Sequence, residues 1–394
     1  MKRTLSFAVI ALAVGLSACE KKQANVGQTD NENLISYNQE VIPGKYIVLY
    51  NSSLPNFKNV PVDLDANIDL VKEISKDIFK KAGIDMKEPE RVYGLVLKGI
   101  AIELSEQEVE KLKKEPEVIG VYPDMMVILA KPAPVPVDPP AEVIPYGVIR
   151  TGYATYTGTK KAWILDTGID LDHADLNVDA ASGKTFVLRT TTPDDDNGHG
   201  THCAGIVAAI DNTIGVVGVA AGATVVPVKV LDKRGSGAYS QIIAGVDFVA
   251  ANAVAGDVAN MSLGGGVYEP IDLAVQALGN KGVFVALAAG NESDDANNHS
   301  PARANGPNLY TVSAMDINDN FAYFSNYANP PVDYCAPGVS IYSTYKGGAY
   351  ATMSGTSMAA PHVCGLLLLT SGSLKTDGYV KNDPDGVPDP IAHK

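Results

Sequence analysis

Three short stretches place an acid, a base and an alcohol where each could act on the next. "AWILDTGID" ends a short apolar run at Asp166. "NGHGTHCAG" sets His199 directly before a segment that is apolar nearly all round, the mark of a buried helix. "SGTSMAAPH" sets Ser357 ahead of Pro361 and the run "HVCGLLLL". Proline lacks an N–H and is tolerated only near the start of a helix, so this helix must begin close to Thr356 or Ser357. The hydroxyl then lies at the positive end of a helix dipole, beside unpaired backbone N–H groups. Such a place favours negative charge developing on a bound carbonyl oxygen. A serine is a poor nucleophile until a base takes its proton, and the base needs an orienting acid. Asp166, His199 and Ser357 supply those roles in the order acid, base, nucleophile.

Singly, each stretch has a plainer explanation. Asp166 could close a turn, Ser357 could cap a helix, and His199 with His202 could ligate a metal from one helical face. No third ligand for such a metal is evident among six histidines. It is the joint occurrence that points to covalent catalysis.

The elements that must hold these residues are also legible. "AWILD", "TVVPVKVL", "DVANMSL", "GVFVALAAG" and "LYTVSA" read as strands apolar on both faces, and "SQIIAGVDFVAANA" and "PIDLAVQALGNKG" as helices between them. This predicts an α/β fold with a doubly covered, mostly parallel sheet over residues 141–372, its ligands at the carboxyl ends of the strands. Residues 41–130 read as strand, helix, strands, helix, strands. "LVKEISKDIFKKAG" has helical apolar spacing, and Ser105 with Glu108 forms a capping box. The order fits a small ferredoxin-like α+β domain. Between the two, "KPAPVPVDPP" has five prolines in ten residues and is expected to be an exposed linker over 131–140. Residues 373–394 are turn-rich and acidic and are expected to form a solvated tail.

Lys2 and Arg3 precede an apolar run too short for a comfortable transmembrane helix, so residues 1–18 are expected to be an export signal. "LSAC" resembles a bacterial lipobox, which implies lipidation of Cys19 and a polar tether over 19–40. Glu20 after it points to the outer membrane, with the main domain ending up periplasmic, at the cell surface or outside. The remaining cysteines, Cys203, Cys335 and Cys364, allow one disulfide or none. A formal net charge of -14 argues against nucleic acid as a partner.

"DTGID", "GHGTH" and "SGTSMAAPH" resemble, nearly letter for letter, the active-site motifs of the subtilisin-like serine proteases, with proteinase K and thermitase relatives nearest. The resemblance runs from about Ile144 to Leu368. It implies a serine endopeptidase acting on protein or peptide substrates through Asp166, His199 and Ser357. "AAGNE" then puts Asn291 at the oxyanion hole, with Gly290 and Glu292 beside the substrate. "MSLGG" implies that Ser262, Leu263 and Gly264 line one wall of the groove. "LDKRGSGAYS" implies that Gly237 and Tyr239 line the other, the peptide adding a strand between them. The ferredoxin-like domain resembles the family's propeptide, an intramolecular inhibitor removed by a cut near Leu129 to Lys131 or anywhere up to Ala141. The expected product is a monomer whose only membrane link, the lipid, stays on the propeptide side.

The resemblance also implies one or two Ca2+ sites. One would use Asp175, Asn212, Glu142 and the carbonyls of Ile210, Ile214 and Val216. The other would use Asp333 with the carbonyls of Pro307 and Leu309. Two readings compete with the leading one: a non-catalytic binding lipoprotein on the same scaffold, and a processing protease of narrow specificity.

Overall fold

The structure is a computed structural model, and it describes residues 36–57, 63–130 and 134–394. The expected export signal and Cys19 lie outside the described residues.

The first domain opens with β1 (Ser36–Tyr50) and continues through α1 (Leu64–Lys81), β2 (Arg91–Tyr93), β3 (Gly99–Glu103), α2 (Glu106–Leu112) and β4 (Val118–Ala130). Its strands are ordered β4-β1-β3-β2, the ferredoxin-like arrangement. Asp63 caps α1 by accepting from the Ala66 N–H at 2.7 Å. The Ser105–Glu108 capping box opens α2. Val71, Ile78 and Phe79 of α1 meet Val48, Ile100 and Ile102 of the sheet in a separate small core. The expected tether is shorter than its composition suggested, because residues 36–40 extend β1. Polar side chains are compatible with a strand that lies along another strand's edge.

The second domain is built on β5 (Ala162–Asp166), α3 (His199–Ala208), β6 (Thr224–Lys229), β7 (Ser236–Ala238), α4 (Tyr239–Asn252) and β8 (Val258–Met261). It continues through α5 (Glu269–Asn280), β9 (Phe284–Ala288), β10 (Leu309–Met315), β11 (Val332–Pro337) and α6 (Thr356–Thr370), and closes with β12 (Lys375–Tyr379) and β13 (Pro390–His393). The main sheet runs β12-β13-β11-β10-β9-β8-β5-β6 and ends on the short strand Asn177–Val178. From β11 to β6 the pairings are parallel. Every residue of β5 and β8 is buried, as strands covered by helices on both faces require.

The C-terminal residues correct an expectation. They are not a solvated tail. β13 joins β11 in parallel at Cys335↔Ile391, and Val380, Asp389, Ile391 and Ala392 are buried. Arg150 ties the segment down through Asp377 (3.0 Å) and Asp319 (2.8 Å). Residues 373–394 thus complete the second domain rather than follow it.

Candidate active site

Asp166 is the last residue of β5, paired in register with Lys229 of β6. It sits at the carboxyl end of a central strand, where open α/β sheets bind ligands. His199 is the first residue of α3, and its Nδ1 lies 2.7 and 2.8 Å from the two Asp166 carboxylate oxygens. Two glycines allow this approach. A Cβ at Gly200 would lie 2.1 Å from the Gly168 carbonyl oxygen, and Gly168 itself has φ +107°.

Asp195 holds the strand end to the helix start. Its buried carboxylate accepts from the Thr167 hydroxyl (2.9 Å), from the N–H groups of Asn197, Gly198 and Thr201, and from the Thr201 hydroxyl (2.6 Å). Burial pushes its pKa up, but these donors outweigh burial and hold it below the usual carboxylate range. Sequence reasoning passed over Asp195. Its signal was an acid two residues before Asn197-Gly198 at the mouth of a buried helix.

Ser357 is the second residue of α6, which starts at Thr356 as Pro361 required. Its carbonyl accepts from the Ser262 hydroxyl at 2.8 Å and from Cys203 Sγ at 3.4 Å. Its Oγ lies 3.4 Å from the Ser262 carbonyl oxygen. Cys203, one turn along α3 from His199, thus bridges the two helices; Cys203, Cys335 and Cys364 are all buried, and none is in a disulfide.

Asn291 follows β9. Its Oδ1 accepts from the Thr356 N–H (2.7 Å) and hydroxyl (3.0 Å). Its Nδ2 is buried and has no hydrogen-bond partner, and the same is true of His199 Nε2. Asp166, His199 and Ser357 are all fully buried.

The first domain docks beside them. β4 pairs antiparallel with β7 through Val127↔Gly237 and Ile128↔Ser236, and the Leu129 N–H donates to the Gly235 carbonyl at 2.9 Å. Val127 and Leu129 are buried in the second domain's core. Asp124 accepts from the Ser240 N–H at 3.1 Å and so caps α4, which has no side-chain cap of its own. Asp247 of α4 accepts from three consecutive N–H groups, those of Gly94, Leu95 and Val96, at 2.6–2.8 Å.

The other implied groove residues are distributed as follows. Tyr239 is buried and stacked on Tyr268, with ring centroids 4.4 Å apart. Leu263 is buried and Gly264 lies against the Ser300 carbonyl. The Gly290 N–H donates to the Thr356 hydroxyl at 3.1 Å. Glu292 turns onto its own loop, accepting from the Asn291 N–H and from Asn326 Nδ2. β4 does not lie between the two segments expected to wall the groove. Its second neighbour is β1, not the Met261–Gly265 segment.

For cation binding, Asn212 Nδ2 donates to Asp175 at 2.7 Å, and the Asn212 N–H donates to Glu142. The Thr213 and Gly215 carbonyls accept from the Glu142 and Val143 N–H groups, and Asn212 Oδ1 accepts from the Thr213 and Ile214 N–H groups. Ile210 adjoins through its N–H to the Asp175 carbonyl. This hard-oxygen set suits calcium. The second set is looser: Asp333, raised to about 6 by burial, accepts from the Thr311 N–H, while Leu309 lies in β10 and Pro307 is exposed.

A histidine held by a carboxylate, a serine at a helix mouth, an unpartnered amide and a first-domain strand paired to the edge beside them define a serine protease with its inhibitory domain still in place. The comparisons agree. The "Subtilase family" model matches residues 163–376 and the "Peptidase inhibitor I9" model residues 45–130. The chain is 36% identical over 380 residues to an extracellular serine proteinase of a Thermus species, covering 94% of this chain and 90% of that one. It is 39% identical over 299 residues to subtilisin E of Bacillus subtilis, covering 72% and 73%. A crystal structure of a cold adapted subtilisin-like serine proteinase superposes with a TM-score of 0.57 at 35% identity, covering 63% of this chain and 97% of that one. The chain belongs to the subtilase family: it is a subtilisin-like serine endopeptidase with an I9 propeptide.

Proposed function

We propose that this protease cuts peptide bonds with Asp166, His199 and Ser357 and that its first substrate is its own chain between Ala130 and Lys131. The observation that carries the reading is the Asp166–His199 pair beside two buried, unpartnered nitrogens, His199 Nε2 and Asn291 Nδ2. In the reaction His199 Nε2 takes the Ser357 hydroxyl proton as Oγ bonds to the scissile carbonyl carbon. Asp166 stabilises the imidazolium. The oxyanion receives Asn291 Nδ2. Collapse breaks the C–N bond, and His199 returns the proton to the leaving amine. Water repeats the sequence on the acyl-enzyme and releases a carboxylate.

Register supports this cut site. Gly235, bonded to the Leu129 N–H, is also adjacent to Asn197, two residues before His199. The next carbonyl along β4 is that of Ala130, where both the strand and the inhibitor match end. Val127 and Leu129 are buried in the second domain's core, so aliphatic residues one and three positions before the new C-terminal residue should favour cleavage. Sequencing the mature N-terminus tests this: Lys131 is expected, and a start beyond Ala141 would refute the register.

Calcium bound by Glu142, Asp175, Asn212 and the Ile210, Ile214 and Val216 carbonyls supplies an electrostatic clamp on the loop behind α3. Chelation should lower the melting temperature of the natural enzyme but not that of Asp175→Ala. Asp333 with Pro307 and Leu309 is the second candidate. The protease is exported, as the name of its extracellular Thermus relative also suggests. A lipid on Cys19 would remain with the propeptide, so the cut would release the enzyme as a monomer from its anchor. An active enzyme that keeps the lipid would contradict this.

A further inference from the structure

β4 carries the bond to be cut, and a strand has two hydrogen-bonding edges. One edge is taken by β7. The other is taken over its last six residues by the start of β1, from Val41↔Met125 to Ser36↔Ala130. No edge remains for Ser262–Gly264. Yet that segment adjoins the nucleophile: the Ser262 hydroxyl holds the Ser357 carbonyl, and Ser357 Oγ faces the Ser262 carbonyl. A scissile strand paired with it would be drawn up to Ser357. Instead β1 lies between, with Gln39 against Gly265 and Gly266.

This arm is separable from the rest of its domain. The β1–β4 register breaks between Val41 and Tyr46, and Gly44 in the break has φ +74°. The inhibitor match begins only at residue 45. The arm is also imperfectly held, since Gln39 Oε1 is buried without a hydrogen-bond partner.

We propose that residues 36–41 form a gate strand, which holds β4 off the Ser262–Gly264 edge and must withdraw before the chain cuts itself. The proposal rests on the self-processing reading above. It makes the first cleavage depend on a segment upstream of the inhibitory domain proper, one that is continuous with the expected tether.

A disulfide tests it in the full-length precursor. A Cβ at Gly265 would lie 3.4 Å from Gln39 Cβ, close to the spacing a disulfide needs. Gln39→Cys with Gly265→Cys should therefore lock the arm. Propeptide removal, followed by gel and mass spectrometry, should slow at least about tenfold when oxidised and recover on reduction. Gln39→Pro, which removes the residue's backbone donor and the Gln39 side chain packed against Gly265 and Gly266, should speed removal about threefold or more. Equal rates for oxidised and reduced double variant would overturn the gate, as would slower processing of Gln39→Pro. If the double variant fails to process even when reduced, the proline variant decides. A natural precursor that never processes would sink the self-processing reading, and the gate with it.

Discussion

The Thr356 N–H donates to Asn291 Oδ1 at 2.7 Å, and this one bond fixes which end of the amide faces the nucleophile. A backbone N–H can only donate, so the oxygen must turn toward Thr356 and the NH2 group away from it. The donor for the oxyanion is thus oriented by the first residue of the helix that carries Ser357. Asn291→Ala should lower kcat about 10²–10³-fold with little change in KM, because the bond to Nδ2 forms only as charge develops. A mainly KM effect would show that the amide binds ground-state substrate instead.

The propeptide interface turns on Asp247. Its carboxylate is the shared acceptor of three backbone N–H groups of the first domain, and burial raises its pKa against their pull. Asp247→Ala leaves those donors buried and unpaired, at a cost on the order of 1–3 kcal/mol each. Inhibition of the mature enzyme by its released propeptide should weaken at least about tenfold. An unchanged inhibition constant would mean that β4 alone carries the affinity.

His362 makes stability pH-dependent. Burial pushes its pKa down from 6.5 to about 4, opposed in part by the Met358 carbonyl that its Nδ1 faces at 2.8 Å. The neutral form is favoured in the fold, so the contribution is complete above about pH 6.5 and is lost as pH falls toward 4. The full swing is about 3 kcal/mol. Denaturant midpoints of the mature enzyme between pH 7 and pH 4 should show it. His362→Asn, which can still donate to Met358, should flatten that part of the profile.

The last two strands are structural. Removing residues 375–394 strips Ile391 and Ala392 from beside β11 and the Asp377 partner from Arg150. Burying one such aliphatic side chain is worth about 1.5–3 kcal/mol. The truncated enzyme should unfold at clearly lower urea concentration, whereas a free tail would be dispensable.

The sequence was most legible where a local rule and the tertiary arrangement agree. Pro361 placed the start of the Ser357 helix, Ser105 and Glu108 announced α2, and the fully apolar "AWILD" announced a central strand ending at Asp166. The C-terminal strands and the β1 arm escaped notice for one reason: each pairs with a partner distant in sequence and sits in or beside a polar, turn-rich run. β13 pairs with β11 across the turn-rich run "NDPDGVPDP", and the β1 arm pairs with β4 nearly ninety residues on. Asp195 was missed likewise, because what identifies it is five donors converging from separate segments.

The most direct test of the account is active-site labelling. The mature enzyme, treated with a fluorophosphonate and digested for mass spectrometry, should carry the label on Ser357, and labelling should fall by orders of magnitude in His199→Ala freed of its propeptide by an added protease. Label on another residue, or undiminished labelling in His199→Ala, would contradict the catalytic assignment.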